Sequence, residues 1–197
     1  MVKVVYGVDL HGNELNLYKV INAFRALRAD LMILGGDINA GLQGLAEIRD
    51  KVVLLPGECD DVYVTKHARE LGILFDGTAI SISGCRVGFV GGLSVHQSIR
   101  KLYEGVQRTI DILVTHFPPK GCLDLVMGKY HGGLRELNDV IVRYGVKYVL
   151  TGHYHDNIGT CFLNNTLVLN PGPLDLGNYL ILNYCGVSAN YTFMRLP

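Results

Sequence analysis

Histidines and carboxylates are arranged along this chain in short motifs that each follow a run of apolar residues. The five motifs are Asp9-Leu10-His11, Gly36-Asp37, Gly57-Glu58-Cys59-Asp60, His116 and Gly152-His153-Tyr154-His155. Short apolar runs of this kind are typical of buried strands. Open α/β sheets bind ligands in the crevice at the carboxyl ends of their strands. If the runs are neighbouring strands of one sheet, the motifs meet at a single edge.

The side chains in these motifs indicate a pair of divalent metal ions. Mixed imidazole and carboxylate ligands suit Mn, Fe, Zn, Ni or Co better than Ca. Asp9 and His11 are two residues apart, so in an extended segment both point to one side and can reach one ion. His153 and His155 repeat this spacing, and Asp37 can bridge two cations. Two-metal sites hold ions roughly 3.5–4 Å apart, and a bridging water becomes a hydroxide nucleophile near neutral pH.

The elements that position these motifs follow from the apolar periodicity. Apolar residues at spacings of three and four predict an amphipathic helix over 14–27, with Asn13 as its cap. Up to residue 71 the pattern is βαβαβα, which implies a parallel sheet with right-handed crossovers. This part of the prediction includes a short helix over 41–49.

The second half of the chain is predicted to continue with shorter elements. Helices are expected over 94–108 and 134–144, and strands over 110–115 and 147–151. Four late strands are expected to form a second sheet packed on the first. They are Thr160–Leu163, Thr166–Leu169, Tyr179–Asn183 and Ser188–Met194. Asn164-Asn165 is the expected turn of a hairpin.

Composition limits the classes of protein that fit. A length of 197 residues predicts a single domain, 1–197. The chain has five cysteines, which is an odd number, and they include no CxxC pair. We therefore expect no disulfide framework, and we expect the protein to lie in a reducing compartment. The N-terminus lacks the form of a signal peptide and no apolar run approaches a membrane span, so we expect a cytoplasmic protein with no membrane partner. Zero net charge without a basic stripe argues against a long nucleic-acid duplex as a partner.

In their order along the chain, the five motifs resemble the calcineurin-like metallophosphoesterase superfamily. The cysteine of the third motif, Thr115–Pro119 and Asn170-Pro171-Gly172 resemble its compact prokaryotic phosphodiesterases. The resemblance implies an α/β fold, a four-layer α/β/β/α sandwich. It also implies a ligand set of Asp9, His11 and His155 on one metal and His116 and His153 on the other, with Asp37 bridging and Glu58 as a further ligand. The implied catalytic residues are Asp37, Cys59 and His116.

Two residues depart from the superfamily pattern. Glu58 stands where the superfamily normally has Asn, and it adds negative charge beside a negative substrate. Cys59 stands where many members have a histidine that protonates the leaving group. A thiol with a pKa near 8.5 is a poorer proton donor at neutral pH than imidazolium, so diesters and good leaving groups are expected to be favoured.

The predicted function is a dinuclear-metal phosphoesterase that hydrolyses phosphodiesters by a metal-bridging hydroxide. The expected substrate is a small phosphoester, and the expected ions are Mn first, with Ni, Fe, Co or Zn as alternatives. A homodimer is implied by the resemblance alone. The alternatives are a non-catalytic metal-binding scaffold on the same fold and a nuclease. Individual residues keep simpler explanations: Asp9 and Asp37 could cap helices, and His131 could lie at the site mouth or on the surface.

Overall fold

The computed structural model describes residues 1–197, in which strands and helices alternate along the chain. The strands are β1 (Val2–Gly7), β2 (Leu31–Leu34), β3 (Val52–Leu54), β4 (Thr78–Ile82), β5 (Cys85–Val90), β6 (Ile112–Thr115), β7 (Leu125–Val126), β8 (Tyr130–His131), β9 (Tyr148–Leu150), β10 (Gly159–Leu163), β11 (Thr166–Asn170), β12 (Asn178–Tyr184) and β13 (Ala189–Arg195). The helices are α1 (Glu14–Ala26), α2 (Val62–Glu70), α3 (Val95–Gly105) and α4 (Arg135–Tyr144). Two 3-10 helices cover Gln43–Lys51 and Leu174–Leu176, so the helix predicted over 41–49 is a 3-10 helix.

Two main sheets contain all the strands except the small β7–β8 hairpin. The first sheet has the order β13-β12-β1-β2-β3 and the second has the order β10-β11-β9-β6-β5-β4. β1, β2 and β3 pair in parallel, as the βαβαβα pattern predicts. In the second sheet β11, β9, β6 and β5 are parallel, and antiparallel strands form both of its edges.

Three apolar clusters hold the layers together and confirm the four-layer α/β/β/α sandwich. The cluster between the sheets packs Val4, Tyr6 and Ile33 against residues of the second sheet such as Phe89 and Val114. The outer face of the first sheet is covered by α1 and α2, and that of the second sheet by α3 and α4. Successive side chains of a strand point to opposite faces of the sheet. A strand that is buried on both faces is therefore a continuous run of apolar residues in the sequence.

The structure corrects two predictions about strand placement. The five apolar runs do not belong to one sheet, since β1, β2 and β3 lie in the first and β6 and β9 in the second. The late strands do not form a separate sheet: β12 and β13 extend the first sheet, while β10 and β11 extend the second. Local pattern cannot assign a strand to a sheet, because pairing is decided by distant contacts. The Asn164-Asn165 turn does join β10 to β11, with Asn164 at a φ of 55°.

The cysteine count argued against a disulfide framework, but the structure contains one disulfide. Cys122, in the segment after β6, is bonded to Cys161 on β10, with their Cα atoms 5.7 Å apart. The two are 39 residues apart in sequence, and spacing does not reveal which cysteines meet in space. Cys59, Cys85 and Cys185 are free. None of the helices combines the length and apolar character needed to cross a membrane.

Candidate metal centre

The motif residues sit in tight turns at the carboxyl ends of the strands. Asp9, His11, Asp37 and His153 all have positive φ values, of 56°, 46°, 54° and 67°. This conformation is uncommon for residues other than glycine and clusters at functional sites. The reasoning that Asp9 and His11 share a side because the segment is extended was therefore wrong. The turn, and not strand alternation, brings their side chains together.

One group of potential metal ligands comes from Asp9, His11 and His155, whose ligand atoms lie within 4.8 Å of one another. The Nε2 atoms of His11 and His155 are 3.2 Å apart. Nε2 of His155 is 3.6 Å from Oδ2 of Asp9. Asp9 is fully buried, whereas His11 is exposed, so this group is open to solvent on one side.

A second group comes from Glu58, His116 and His153. Oε2 of Glu58 is 2.6 Å from Nε2 of His116, and Oε1 is 2.7 Å from Nδ1 of His153. Asp37 lies between the groups: it clusters with Asp9 and His116, and also with Glu58 and Cys59. Its Oδ2 is 3.6 Å from Nε2 of His116. The arrangement thus offers two ligand sets with a carboxylate shared between them.

Hydrogen bonds from the backbone orient these groups. Nδ1 of His116 lies 2.9 Å from the carbonyl oxygen of Gly35, which places a proton on Nδ1, so Nε2 is the atom that can offer a lone pair to a metal once the ring is neutral. Asp9 accepts a hydrogen bond from the His153 N–H at 3.0 Å, and Asp37 accepts one from the Cys59 N–H at 2.9 Å. Each of these three side chains is therefore oriented by a backbone partner.

Two buried polar atoms of this centre lack an aligned hydrogen bond, namely Oδ1 of Asp9 and Nε2 of His116. Glu58 is close to Nε2 of His116, but the geometry does not make a good hydrogen bond. Leaving such groups unpaired in the interior is costly, and a coordinated cation is a common way to satisfy them. The residues present therefore fit a divalent metal with mixed imidazole and carboxylate ligands.

The electrostatics of the centre favour positive charge. Burial lowers the pKa of His116, but the close contact with Glu58 and the charges of Asp9 and Asp37 outweigh it and raise that pKa to about 9. Burial raises the pKa of Asp9, with partial compensation from His116 and His155. Burial also acts to raise the pKa of Glu58, but its two histidine partners outweigh burial and hold that pKa far below its usual value. A site that stabilises imidazolium in this way also attracts a metal cation.

Cys59 lies at the edge of this centre, close to Asp37 and Glu58. Burial and the neighbouring carboxylates raise the pKa of its thiol to about 11. The thiol is therefore protonated at neutral pH and is a weak acid. It can donate a hydrogen bond but is poorly suited to full proton transfer.

Asp60 has a role that the sequence reasoning did not assign. Its buried carboxylate accepts four backbone N–H groups, from Asp37, Ile38, Asn39 and Gly57, at 2.7–3.1 Å. It joins the turn after β2 to the turn after β3 and so holds Asp37 in its strained conformation. Its place in the third motif, three residues after Gly57, was the available signal, because Asp side chains commonly accept N–H groups of tight turns.

Two glycines permit the close approach of these turns. A Cβ atom on Gly57 would lie 2.0 Å from Oδ1 of Asp37. Gly36 has a φ of 104°, and a Cβ there would lie 2.6 Å from Nδ1 of His116. The glycines of the second and third motifs are therefore needed for packing around the site.

All the predicted ligands come together at one end of the sandwich. The two groups and the Asp37 that connects them account for all seven, with Cys59 beside them: Asp9, His11, Asp37, Glu58, His116, His153 and His155. His131 is not among them: its Nδ1 lies 2.6 Å from Oδ1 of Asp124 at the base of the β7–β8 hairpin. Which of these residues bind metal is a prediction that the geometry supports through the orphaned atoms described above.

A four-layer α/β/β/α sandwich with this ligand arrangement defines the class of metallophosphoesterase-like proteins. The family model for calcineurin-like phosphoesterases matches residues 9–157, and the chain belongs to this family. The match includes every predicted metal ligand and Cys59. The chain is therefore assigned to a family of hydrolases that act on phosphoesters.

Individual relatives are distant in sequence. The chain is 26% identical to uncharacterized protein MJ1162 of Methanocaldococcus jannaschii, over 87% of this chain and 88% of that protein. It shares its fold with TT1561 of Thermus thermophilus, with a TM-score of 0.68 and 15% identity over 97% and 98% of the two chains. A structure described as a novel archaeal phosphodiesterase gives a TM-score of 0.61 and 15% identity over 98% and 100%. Zn²⁺-bound Vps29 of Entamoeba histolytica gives a TM-score of 0.53 and 13% identity over 98% and 99%.

Proposed function

We propose that this protein is a dinuclear-metal phosphodiesterase that hydrolyses small phosphodiesters, with Mn²⁺ as the preferred ion and Ni, Fe, Co or Zn as alternatives. The observation that carries the proposal is a pair of neighbouring ligand groups that Asp37 connects, since Asp37 clusters with Asp9 of the first group and with His116 and Glu58 of the second. Two buried atoms of these groups, Oδ1 of Asp9 and Nε2 of His116, lack a hydrogen-bond partner. Asp9, His11 and His155 would hold one ion. Glu58, His116 and His153 would hold the other, with Asp37 between them.

Two divalent ions, when bound, would polarise the phosphoryl group and activate water near neutral pH. The protein's own residues position this chemistry. Asp60 and the Gly35 carbonyl oxygen fix Asp37 and His116, so little reorganisation is needed when substrate enters. Cys59 can donate a hydrogen bond to the departing oxygen, which suffices for leaving groups that are stable as anions.

Glu58 supports the preference for diesters. It adds a third carboxylate to Asp9 and Asp37, and its repulsion of a substrate grows with the substrate's charge. A phosphate monoester carries up to two negative charges near neutral pH, whereas a diester carries one. Compared with a neutral amide at this position, Glu58 therefore penalises monoesters more than diesters.

The test is hydrolysis of bis(p-nitrophenyl) phosphate by metal-stripped protein to which Mn²⁺, Ni²⁺, Fe²⁺, Co²⁺ or Zn²⁺ is restored. We expect turnover with Mn²⁺, and we expect Asp37→Asn to reduce kcat by roughly a hundredfold because the residue between the two ions loses its negative charge and one of its two acceptor oxygens. The conservative variant Asp50→Asn, near the amino end of β3 and so at the opposite end of the sheet, is the matched control. Absence of turnover with all five metals would remove the enzymatic proposal.

A non-catalytic scaffold is the second candidate, and the likeness to Zn²⁺-bound Vps29 favours it. Such a protein would bind metal without hydrolysing esters, so metal content alone does not separate the two functions, and the diesterase assay beside a pull-down does. A nuclease would use the same chemistry, but the lysines and arginines are distributed evenly along the chain and predict no basic surface long enough to bind a nucleic-acid duplex. We further propose a cytoplasmic location and a homodimer; light scattering is the direct test of the dimer.

A further inference from the structure

A cavity of about 270 Å³ opens beside two of the candidate metal ligands. His153 and His155 form one side, and Leu125, Val126 and Met127 of the β7–β8 hairpin form the other. Pockets for whole small molecules are commonly about 300–1,000 Å³. This cavity is therefore suited to one part of a ligand whose remainder lies at the metal centre.

The polar side chains in the wall of the cavity are occupied in holding the hairpin. The Tyr154 hydroxyl donates to the carbonyl oxygen of Gly132 at 3.0 Å. Oδ1 of Asn157 accepts from the Leu125 N–H at 3.2 Å, and its Nδ2 donates to the Leu125 carbonyl oxygen at 2.9 Å. Both side chains therefore act to position the apolar wall.

The base of the hairpin is fixed in the same way. Asp124 is buried and accepts hydrogen bonds from the N–H groups of Gly121 and Gly133, at 2.9 and 3.0 Å. His131, at the end of β8, contacts the other oxygen of Asp124 at 2.6 Å. The hairpin is thus anchored at both ends, which makes its apolar face a defined surface for binding.

Charge also restricts what the cavity accepts. Its lining includes no lysine or arginine, and the one charged side chain outside the candidate ligands is the carboxylate of Asp156. An anionic ligand group would meet the charge of Asp156, and the lining offers it no lysine or arginine. An uncharged apolar group would bury surface against Leu125, Val126 and Met127.

We propose that this cavity binds the ester group that remains on phosphorus, and that it selects phosphodiesters in which that group is uncharged and apolar, such as an aryl group. The inference rests on the proposed phosphodiesterase function. Cys59 clusters with Asp37 and Glu58 and does not line the cavity, so the departing oxygen faces Cys59 and the retained group faces the hairpin. Water forms the new bond to phosphorus, the ester bond on the Cys59 side breaks, the leaving group departs as its anion, and the water's proton passes to solvent.

The experiment compares three diesters with the same p-nitrophenolate leaving group, in which the retained group is methyl, phenyl or 4-carboxyphenyl. We expect kcat/KM with Mn²⁺ to be about tenfold higher for phenyl than for methyl, which is at the lower end of the discrimination that hydrophobic pockets give. The 4-carboxyphenyl ester should fall below the phenyl ester. The double variant Leu125→Ser, Met127→Ser should lower the phenyl-to-methyl ratio of kcat/KM from about ten to about one.

The control replaces two exposed apolar residues elsewhere, Val142→Ser and Val187→Ser, and should retain the wild-type ratios. Equal rates for methyl and phenyl esters, a 4-carboxyphenyl rate at or above the phenyl rate, or an unchanged ratio in the hairpin variant would each overturn the assignment of the cavity while leaving the diesterase proposal in place. No cleavage of any of the three esters would instead remove the diesterase proposal, and the cavity assignment with it.

Discussion

Replacing Glu58 with glutamine tests whether its charge sets the preference for diesters. Glutamine keeps an oxygen ligand of similar reach and removes one negative charge. Because a dianionic monoester differs from a diester by one charge, the discrimination due to Glu58 equals one charge–charge interaction. At about 5 Å and an effective dielectric constant of about 20, that interaction is roughly 3 kcal/mol.

Solvent reduces this figure. The Glu58 side chain is 34% exposed, so we take about 1 kcal/mol, which is roughly a fivefold change in rate ratio. The assay is kcat/KM for p-nitrophenyl phosphate and for bis(p-nitrophenyl) phosphate at saturating Mn²⁺. We expect Glu58→Gln to raise the monoester-to-diester ratio about fivefold, whereas Asp50→Asn, which removes a 96% exposed charge, leaves it unchanged. A ratio that stays constant or falls in Glu58→Gln would refute the electrostatic reasoning.

Three further predictions concern stability. Asp60→Asn should lower the free energy of unfolding by about 2–4 kcal/mol, since an amide oxygen cannot accept hydrogen bonds from all four N–H groups. Denaturant unfolding measures this loss, and a loss below about 1 kcal/mol would contradict the role assigned to Asp60. Burial acts to raise the pKa of Asp111, but hydrogen bonds from Tyr184, the Arg86 N–H and Lys147 outweigh burial and lower that pKa. The ionised Asp111 therefore stabilises the folded protein at pH values above its ordinary pKa, and this contribution is lost as the pH falls through the lowered pKa. Asp111→Asn should therefore cost about 1–2 kcal/mol at pH 7, with a gap to the wild type that shrinks below about pH 4; a gap independent of pH would contradict this. The Cys122–Cys161 bond should leave three thiols titratable in denatured, non-reduced protein and five after reduction, and its reduction should cost roughly 3–4 kcal/mol; five thiols before reduction would disprove the bond.

The motifs allowed most of the fold and the candidate ligands to be predicted from sequence. Strands that are buried on both faces of a parallel sheet are continuous apolar runs in the sequence, and the helices predicted over 14–27 and 134–144 have clear apolar periodicity. Both kinds of element can therefore be recognised from a short segment of sequence. The reason given for the Asp9 and His11 pairing was wrong, because the strand ends before Asp9 and the backbone turns to positive φ. The two side chains nevertheless lie close together, because the motif positions both residues at the same strand end.

Other features had no local signal. The pairing of β12 and β13 with β1, and of β10 and β11 with β9, depends on which strand reaches which edge during folding. The disulfide joins two cysteines from different elements, and the role of Asp60 depends on two turns meeting around one carboxylate. The cavity beside the β7–β8 hairpin was also not predicted, because it is formed by segments that are separate in sequence.

The sequence by itself determined the kinds of ligand atom, their order and their placement after strands, because side-chain chemistry and burial periodicity are properties of short segments. The tertiary structure decided that two sheets, and not one, bring those atoms together, and that a carboxylate lies between two groups of imidazoles. The physical reason is that distances between remote segments are set by the packing of whole layers, to which every residue of the three apolar clusters contributes.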